Sequence, residues 1–235
     1  MESLKLSIAG ETNIGAGRIK NEDNYCILAP PGFPSALAMV ADGIGGHRDG
    51  EVASMFCCRG MITSFMRRGR EIGCAEDAET FLAAELRQIS EQLFMRNEFD
   101  RRERPMGCTA TCAVFTADEL VWCNVGDSRL YEFSRRGGAL RRISDDDVCP
   151  GTSVLCKAVG ICSHLDVTPH TMPLSPDTIY LLCSDGLHHF VRAEEIADTL
   201  KESVTPRMAV SKLMRRALLR GAGDNITIIV AWCRA

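Results

Sequence analysis

Four carboxylates stand where apolar runs begin or end. Ala36–Ala41 leads into Asp42-Gly43, Leu120–Val125 into Gly126-Asp127, and Thr178–Cys183 into Ser184-Asp185-Gly186, while Gly223-Asp224 opens the run Asn225–Trp232. The end of a strand is a fixed point from which a scaffold can present a side chain. Gly beside each Asp lets the backbone turn sharply or approach a ligand closely. Each pair alone reads as an ordinary turn, because Asp and Gly dominate turns; the recurrence is what carries chemistry. Like charges brought together repel unless a cation sits among them. Carboxylate oxygens are hard ligands that favour Mg2+ or Mn2+, and a pair of such ions can lower the pKa of a bridging water. Arg18, four and five residues before Glu22 and Asp23, offers a planar fork for phosphate oxygens. Cations and an Arg together read as phosphoryl transfer to water.

The elements that must position these groups are legible in outline. Leu4, Leu6 and Ile8 alternate with polar or small residues, as in a strand, and a second strand is expected over Asn24–Leu28. Helices are expected over Glu51–Arg67 and over 77–97, where Leu82, Leu86, Ile89 and Leu93 step by three and four; the two should pack together. Residues 108–143 read as a β-meander, 144–165 as loop with a short helical stretch around Val154–Val159, and 166–173 and 178–183 as strands. Helices Ala193–Lys201 and Pro206–Leu219 precede a last strand, Ile226–Trp232. Strands with helices in pairs predict an α+β fold, helices outside two packed antiparallel sheets.

With 235 residues, 46% of them hydrophobic, and no linker or repeat, one domain is expected over residues 1–235. A net charge of −4 argues against non-specific nucleic-acid binding, and the scattered Arg pairs read as solvated faces. No stretch resembles a signal peptide and no apolar run approaches about 20 residues, so a cytoplasmic protein without a membrane segment is expected. The 12 Cys form no C-x-x-C pair; Cys112, Cys123, Cys183 and Cys233 lie in apolar runs as small buried hydrophobes. Cys149, Cys156, Cys162 and His164 match no common zinc spacing.

Arg18…Asn21-Glu22-Asp23, Asp42-Gly43-Ile44-Gly45-Gly46-His47, Gly107-Cys108-Thr109-Ala110-Thr111, Val125-Gly126-Asp127-Ser128-Arg129, Cys183-Ser184-Asp185-Gly186-Leu187 and Gly223-Asp224-Asn225-Ile226-Thr227 follow one another in order. That set closely resembles the metal-dependent protein phosphatases of the PPM (type 2C) family in their bacterial form, over roughly residues 7–233. The resemblance implies a four-layer α-β-β-α sandwich and hydrolysis of phosphoserine and phosphothreonine in proteins without a phosphoenzyme. It implies two Mn2+ or Mg2+ ions, with a third in many bacterial members. Asp42 would bridge two ions and the carbonyl of Gly43 would complete one of them; Asp185 and Asp224 would hold the first, and Glu22 and Asp23 would serve the second, directly or through water. Asp127, with Asp185, would support the third. Arg18 would grip the phosphate, Asn225 would orient its neighbours, and Thr109 and Ser128 would support the site. The expected partners are phosphoproteins, the substrates of a bacterial-type Ser/Thr kinase, met by a monomer.

The chain departs from that pattern in three places. Ile44 stands where animal members carry a His thought to protonate the leaving alkoxide; its absence implies that a metal-bound water donates instead, with His47 as the alternative donor. Only Asp145–Ser153 occupies the place of a longer flap, so the site is expected to be more open, and Asp145–Asp147 reads as an exposed acidic turn. His188-His189 reads as a turn into a helix, or as a pair near the metals. A catalytically dead phosphoprotein-binding scaffold is disfavoured because every acidic ligand position is filled. A small phosphorylated metabolite is the alternative substrate.

Overall fold

The computed structural model describes residues 4–44, 49–152 and 154–234. In chain order the elements are β1 (Lys5–Asn13), β2 (Asp23–Leu28), β3 (Ala36–Asp42), α1 (Gly50–Arg68), α2 (Ala75–Phe99), β4 (Ala110–Phe115), β5 (Glu119–Val125), β6 (Arg129–Ser134) and β7 (Leu140–Arg142). They continue with β8 (His170–Pro173), β9 (Thr178–Cys183), α3 (Asp185–His188), α4 (Ala193–Glu202), α5 (Pro206–Leu219) and β10 (Ile226–Arg234).

The strands form two five-stranded antiparallel sheets, β1-β10-β9-β6-β7 and β2-β3-β4-β5-β8. Side-chain alternation explains why both faces of each sheet are covered. Along β10, Ile226, Ile228, Val230 and Trp232 join the core beneath α3–α5, while Ile229, Ala231 and Cys233 join the core between the sheets. Along β3, Leu37, Met39 and Ala41 meet α1 and α2, while Ala38 and Val40 face the other sheet. A strand buried on both faces must read as an unbroken apolar run, and these do. The result is four layers, helix–sheet–sheet–helix, as the sequence predicts. Among the described residues no helix is long and apolar enough to cross a membrane.

Helix α5 begins where local chemistry asks. In α5 the Thr205 hydroxyl accepts from the Met208 N–H at 3.2 Å and Pro206 fills the first turn. Leu82, Leu86, Ile89 and Leu93 of α2 are buried against α1 and the second sheet.

Two expectations are corrected. Residues 108–143 are not one meander: β4 and β5 pair in one sheet, β6 and β7 in the other. The chain changes sheet at Gly126-Asp127-Ser128, where Gly126 has φ of 96°, and changes back and forth again between β7, β8 and β9. The stretch Val154–Val159 is not helical. Val148 bridges Leu155, and Val159 exchanges backbone hydrogen bonds with Cys108 at 2.9 and 3.2 Å. That extended pairing uses the N–H and C=O groups a helical turn would need.

Candidate metal centre

The acids converge at one end of the sandwich. Arg18, Asp42, Gly43, Thr109, Asp127, Asp185 and Asp224 line a single cleft of about 650 Å³. The four Asp arrive from different points of the chain: the end of β3, the β5–β6 crossing, the start of α3 after β9, and the turn before β10. Asp23, 3% exposed, does not line the cleft. It lies opposite Asp42 in the β2–β3 register. Glu22 lies beside Gly50, at the start of α1. Gly43 donates its N–H to the Glu22 carbonyl at 3.0 Å, and Ser54 of α1 donates to that same carbonyl at 2.6 Å.

Hydrogen bonds hold these groups in place. Thr109 grips Asp42 by the backbone on both sides: its hydroxyl accepts from the Asp42 N–H at 2.9 Å, and its N–H donates to the Asp42 carbonyl at 2.7 Å. The Ser128 hydroxyl, fully buried, lies 2.8 Å from that of Thr109. Asn225 ties three segments together, accepting from the Glu22 N–H at 2.8 Å and donating to the carbonyls of Ile14 and Lys20 at 2.8 and 2.9 Å. Gly186 makes room for this contact, since any side chain there would strike the Asn225 carbonyl. Arg18 donates to Asp224 Oδ2 at 2.7 Å, and Asp224 Oδ1 accepts from the Asn225 N–H at 2.8 Å.

Two supporting groups escaped the sequence reading. Ser184 and Thr227 each donate a hydroxyl to Asp23 Oδ2 at 2.7 Å. The signal was present: Thr227 is the one polar side chain inside the apolar run Ile226–Trp232. Asp147 is the other surprise. Rather than belonging to an exposed acidic turn, it accepts from the Gly126 N–H at 3.1 Å and pairs with Lys157 at 3.3 Å. Asp146 likewise takes Arg129 at 2.7 Å and Arg142 at 3.0 Å. The acidic run therefore pins the short loop to the Asp127 turn. His188 and His189 do close α3, and they also lie beside the acids. His188 Nε2 meets the Asp127 carbonyl at 3.1 Å, and His189 Nδ1 is 3.4 Å from Asp185 Oδ2. Burial, then Arg129, pushes the His188 imidazole down to about 3, so it stays neutral and donates to that carbonyl. His47 lies outside the described residues.

Electrostatics favour a cation here. Burial first, then the charges of Asp23, Asp185 and Asp127, holds the Asp42 carboxyl well above the usual range. Asp185 is pushed up to about 7 by burial and then by Asp224, Asp127 and Asp23. Burial also raises Asp23, Asp127 and Glu22. Asp23 Oδ1 and Asp185 Oδ1 are buried and accept no hydrogen bond, a costly arrangement unless a positive ligand meets them. The acids ring the cleft rather than close on a point: among the described residues, no three His, Cys, Asp or Glu side chains form a group that would hold an ion as they stand. The donor set is all oxygen, and its orphaned acceptors fit a hard divalent ion. Cys156 and Cys162 are exposed thiols at the same cleft and join no ligand group.

Residues 9–220 match the family described as Protein phosphatase 2C. The serine/threonine phosphatase stp of Listeria welshimeri is 28% identical over 237 residues, covering 93% of this chain and 92% of its own length. Among solved structures, serine/threonine phosphatase Stp1 from Staphylococcus aureus matches with a TM-score of 0.86 at 27% identity, over 98% of this chain and 96% of that one. The catalytic domain of serine threonine protein phosphatase PstP in complex with 2 manganese ions matches with a TM-score of 0.82 at 28% identity, over 99% of this chain and 100% of that one.

Proposed function

Because the chain belongs to the protein phosphatase 2C family, we propose that residues 1–235 form one catalytic domain that hydrolyses phosphoserine and phosphothreonine in proteins. The observation that carries this reading is the meeting of Asp42, Asp127, Asp185 and Asp224 with Arg18 in one cleft. Asp42 would serve both of two Mn2+ or Mg2+ ions and the Gly43 carbonyl would complete one of them; Asp185 and Asp224 would hold the first, and Glu22 and Asp23 would serve the second. Asp127 with Asp185 would support a third. When bound, such ions neutralise the carboxylates, draw in phosphate oxygens and acidify the attacking water.

The remaining roles belong to the chain itself. Arg18 presents its guanidinium to the phosphate from the rim of the cleft, steered by Asp224. Thr109 and Ser128 fix Asp42, and Ser184 and Thr227 hold Asp23 with one oxygen free. Ile44 has no proton to give, so the leaving alkoxide takes its proton from water in the cleft. The expected substrates are proteins phosphorylated by a bacterial-type Ser/Thr kinase, the expected compartment the cytoplasm, and the expected state a monomer.

Mn2+-dependent release of phosphate from p-nitrophenyl phosphate and from phosphopeptides, with Asp42→Asn as control, tests the reading. Turnover by the intact chain that vanishes in the control supports it. Background rates in both would instead mark a phosphoprotein-binding scaffold. Turnover confined to phosphorylated metabolites would keep the chemistry and replace the substrate.

A further inference from the structure

One wall of the cleft has no part in holding ions or phosphate. Ile44, Pro105, Val154, Leu155, Ala158 and Ile161 line it alongside the acids. The side chains of Ile44 and Ile161 close over Gly107, where an added Cβ would come within 2.6 Å of Ile161 Cδ1 and 3.0 Å of Ile44 Cδ1. Val154 is 62% exposed, an apolar side chain open to solvent at the mouth of the candidate site. It is nonetheless held firmly. The Cys149 N–H donates to the Val154 carbonyl and the Cys156 N–H to the Asp147 carbonyl, both at 2.8 Å, and Val159 is paired with Cys108. Asp147 ties this loop to Gly126 and Lys157. A short loop pinned at both ends keeps an apolar side chain exposed against its own hydration preference.

Charge narrows what this wall can receive. The carboxylates lining the cleft are Asp42, Asp127, Asp185 and Asp224, all in the candidate metal set. Among the described residues the rest of the lining carries no acid, and its Lys157 is already paired with Asp147. A cationic neighbour of the phosphorylated residue finds no acid outside the candidate metal set, and an acidic neighbour finds Lys157 already against Asp147 and His189 already against Asp185. An apolar side chain finds a preformed surface.

Resting on the phosphatase reading, we infer that this wall receives an apolar residue flanking the phosphorylated residue of a polypeptide substrate, and so selects sequence context. The experiment compares two phosphothreonine peptides, identical except for Leu or Asp at the flanking positions, with the full chain in Mn2+. The wild type should turn over the Leu peptide about tenfold faster in kcat/KM, the discrimination one apolar contact supplies. In Val154→Asn, and in Leu155→Asn as a second variant, each of which removes the apolar surface without adding a charge, the ratio should collapse toward one. Equal rates for the two peptides in the wild type, or a preference that survives both substitutions, would overturn the inference. The two readings fail differently: with no Mn2+-dependent hydrolysis even of p-nitrophenyl phosphate, the phosphatase reading falls and takes this one with it. With hydrolysis but no preference, only the wall falls.

Discussion

Arg18 Nη2 donates to Asp224 Oδ2 at 2.7 Å across 206 positions of sequence, so one of the acids that would hold an ion also aims the residue that would hold the phosphate. Asp224 Oδ1 is meanwhile fixed by the Asn225 N–H. The two residues therefore act as a pair, and their substitutions should not add. Asp224→Ala is expected to lower kcat by about 100-fold or more by removing an ion's ligand and freeing the guanidinium. Arg18→Ala should mainly raise KM, by about tenfold, the worth of a charge-assisted contact. Steady-state kinetics of both and of the double variant check this. An Asp224→Ala protein with full activity would remove Asp224 from the metal set.

Proton and metal should compete for the same oxygens. A carboxyl whose folded pKa lies above its unfolded value favours the fold below the unfolded pKa, about 3.9 for Asp, and loses that contribution as pH rises through the folded value. For Asp185 the loss is spread up to about 7. A divalent ion binds the ionised form and reverses the trend. The rise in melting temperature from excess Mn2+ relative to EDTA should therefore grow between about pH 5 and pH 8. A rise independent of pH would mean that the ions bind somewhere other than these raised carboxyls.

The two hydroxyls on Asp23 give a prediction independent of turnover. Ser184 and Thr227 both reach Oδ2 at 2.7 Å inside the protein, and Ser184 Oγ also accepts from the Thr227 N–H at 2.9 Å. Thr227→Val keeps the shape and removes one donor from a buried carboxylate. It should cost about 1–3 kcal/mol of stability in urea unfolding and weaken Mn2+ binding by calorimetry. Unchanged stability would show that Asp23 does not depend on these donors.

What could be read from the chain, and what could not, divides along a physical line. Asp42, Asp127, Asp185 and Asp224 were legible because each combines a strand end with a glycine, and both signals are local. The helix pair α1 and α2 was legible because apolar spacing is local too. Which sheet a strand joins is not: β4–β7 alternate in the same way whether they pair together or apart, and Gly126-Asp127-Ser128 looks like any tight turn. The false helix at 154–159 arose because Val154, Leu155, Ala158 and Val159 fall at helical spacing. The backbone partners that make the stretch extended, Cys108 and Val148, lie elsewhere in the sequence. Asp146 and Asp147 looked like a solvated run for a similar reason, since Arg129 and the Gly126 N–H reach them only in the fold.

The sheet-to-sheet crossing offers the sharpest structural test, because the same turn carries Asp127. Gly126 adopts φ of 96°, a region L side chains rarely enter. A Cβ there would also come within 2.6 Å of Thr109 Cγ2. Thr109 is the residue that grips Asp42, so the collision reaches a second metal candidate. Gly126→Ala should destabilise the protein by about 1–3 kcal/mol through backbone strain alone. Displacement of Thr109 should weaken Mn2+ binding and lower kcat beyond what reduced stability explains. Urea unfolding paired with Mn2+ titration separates the two effects. If the alanine variant matched the wild type in both, the left-handed turn would be dispensable, and the crossing could not be what positions Asp127 against Asp42.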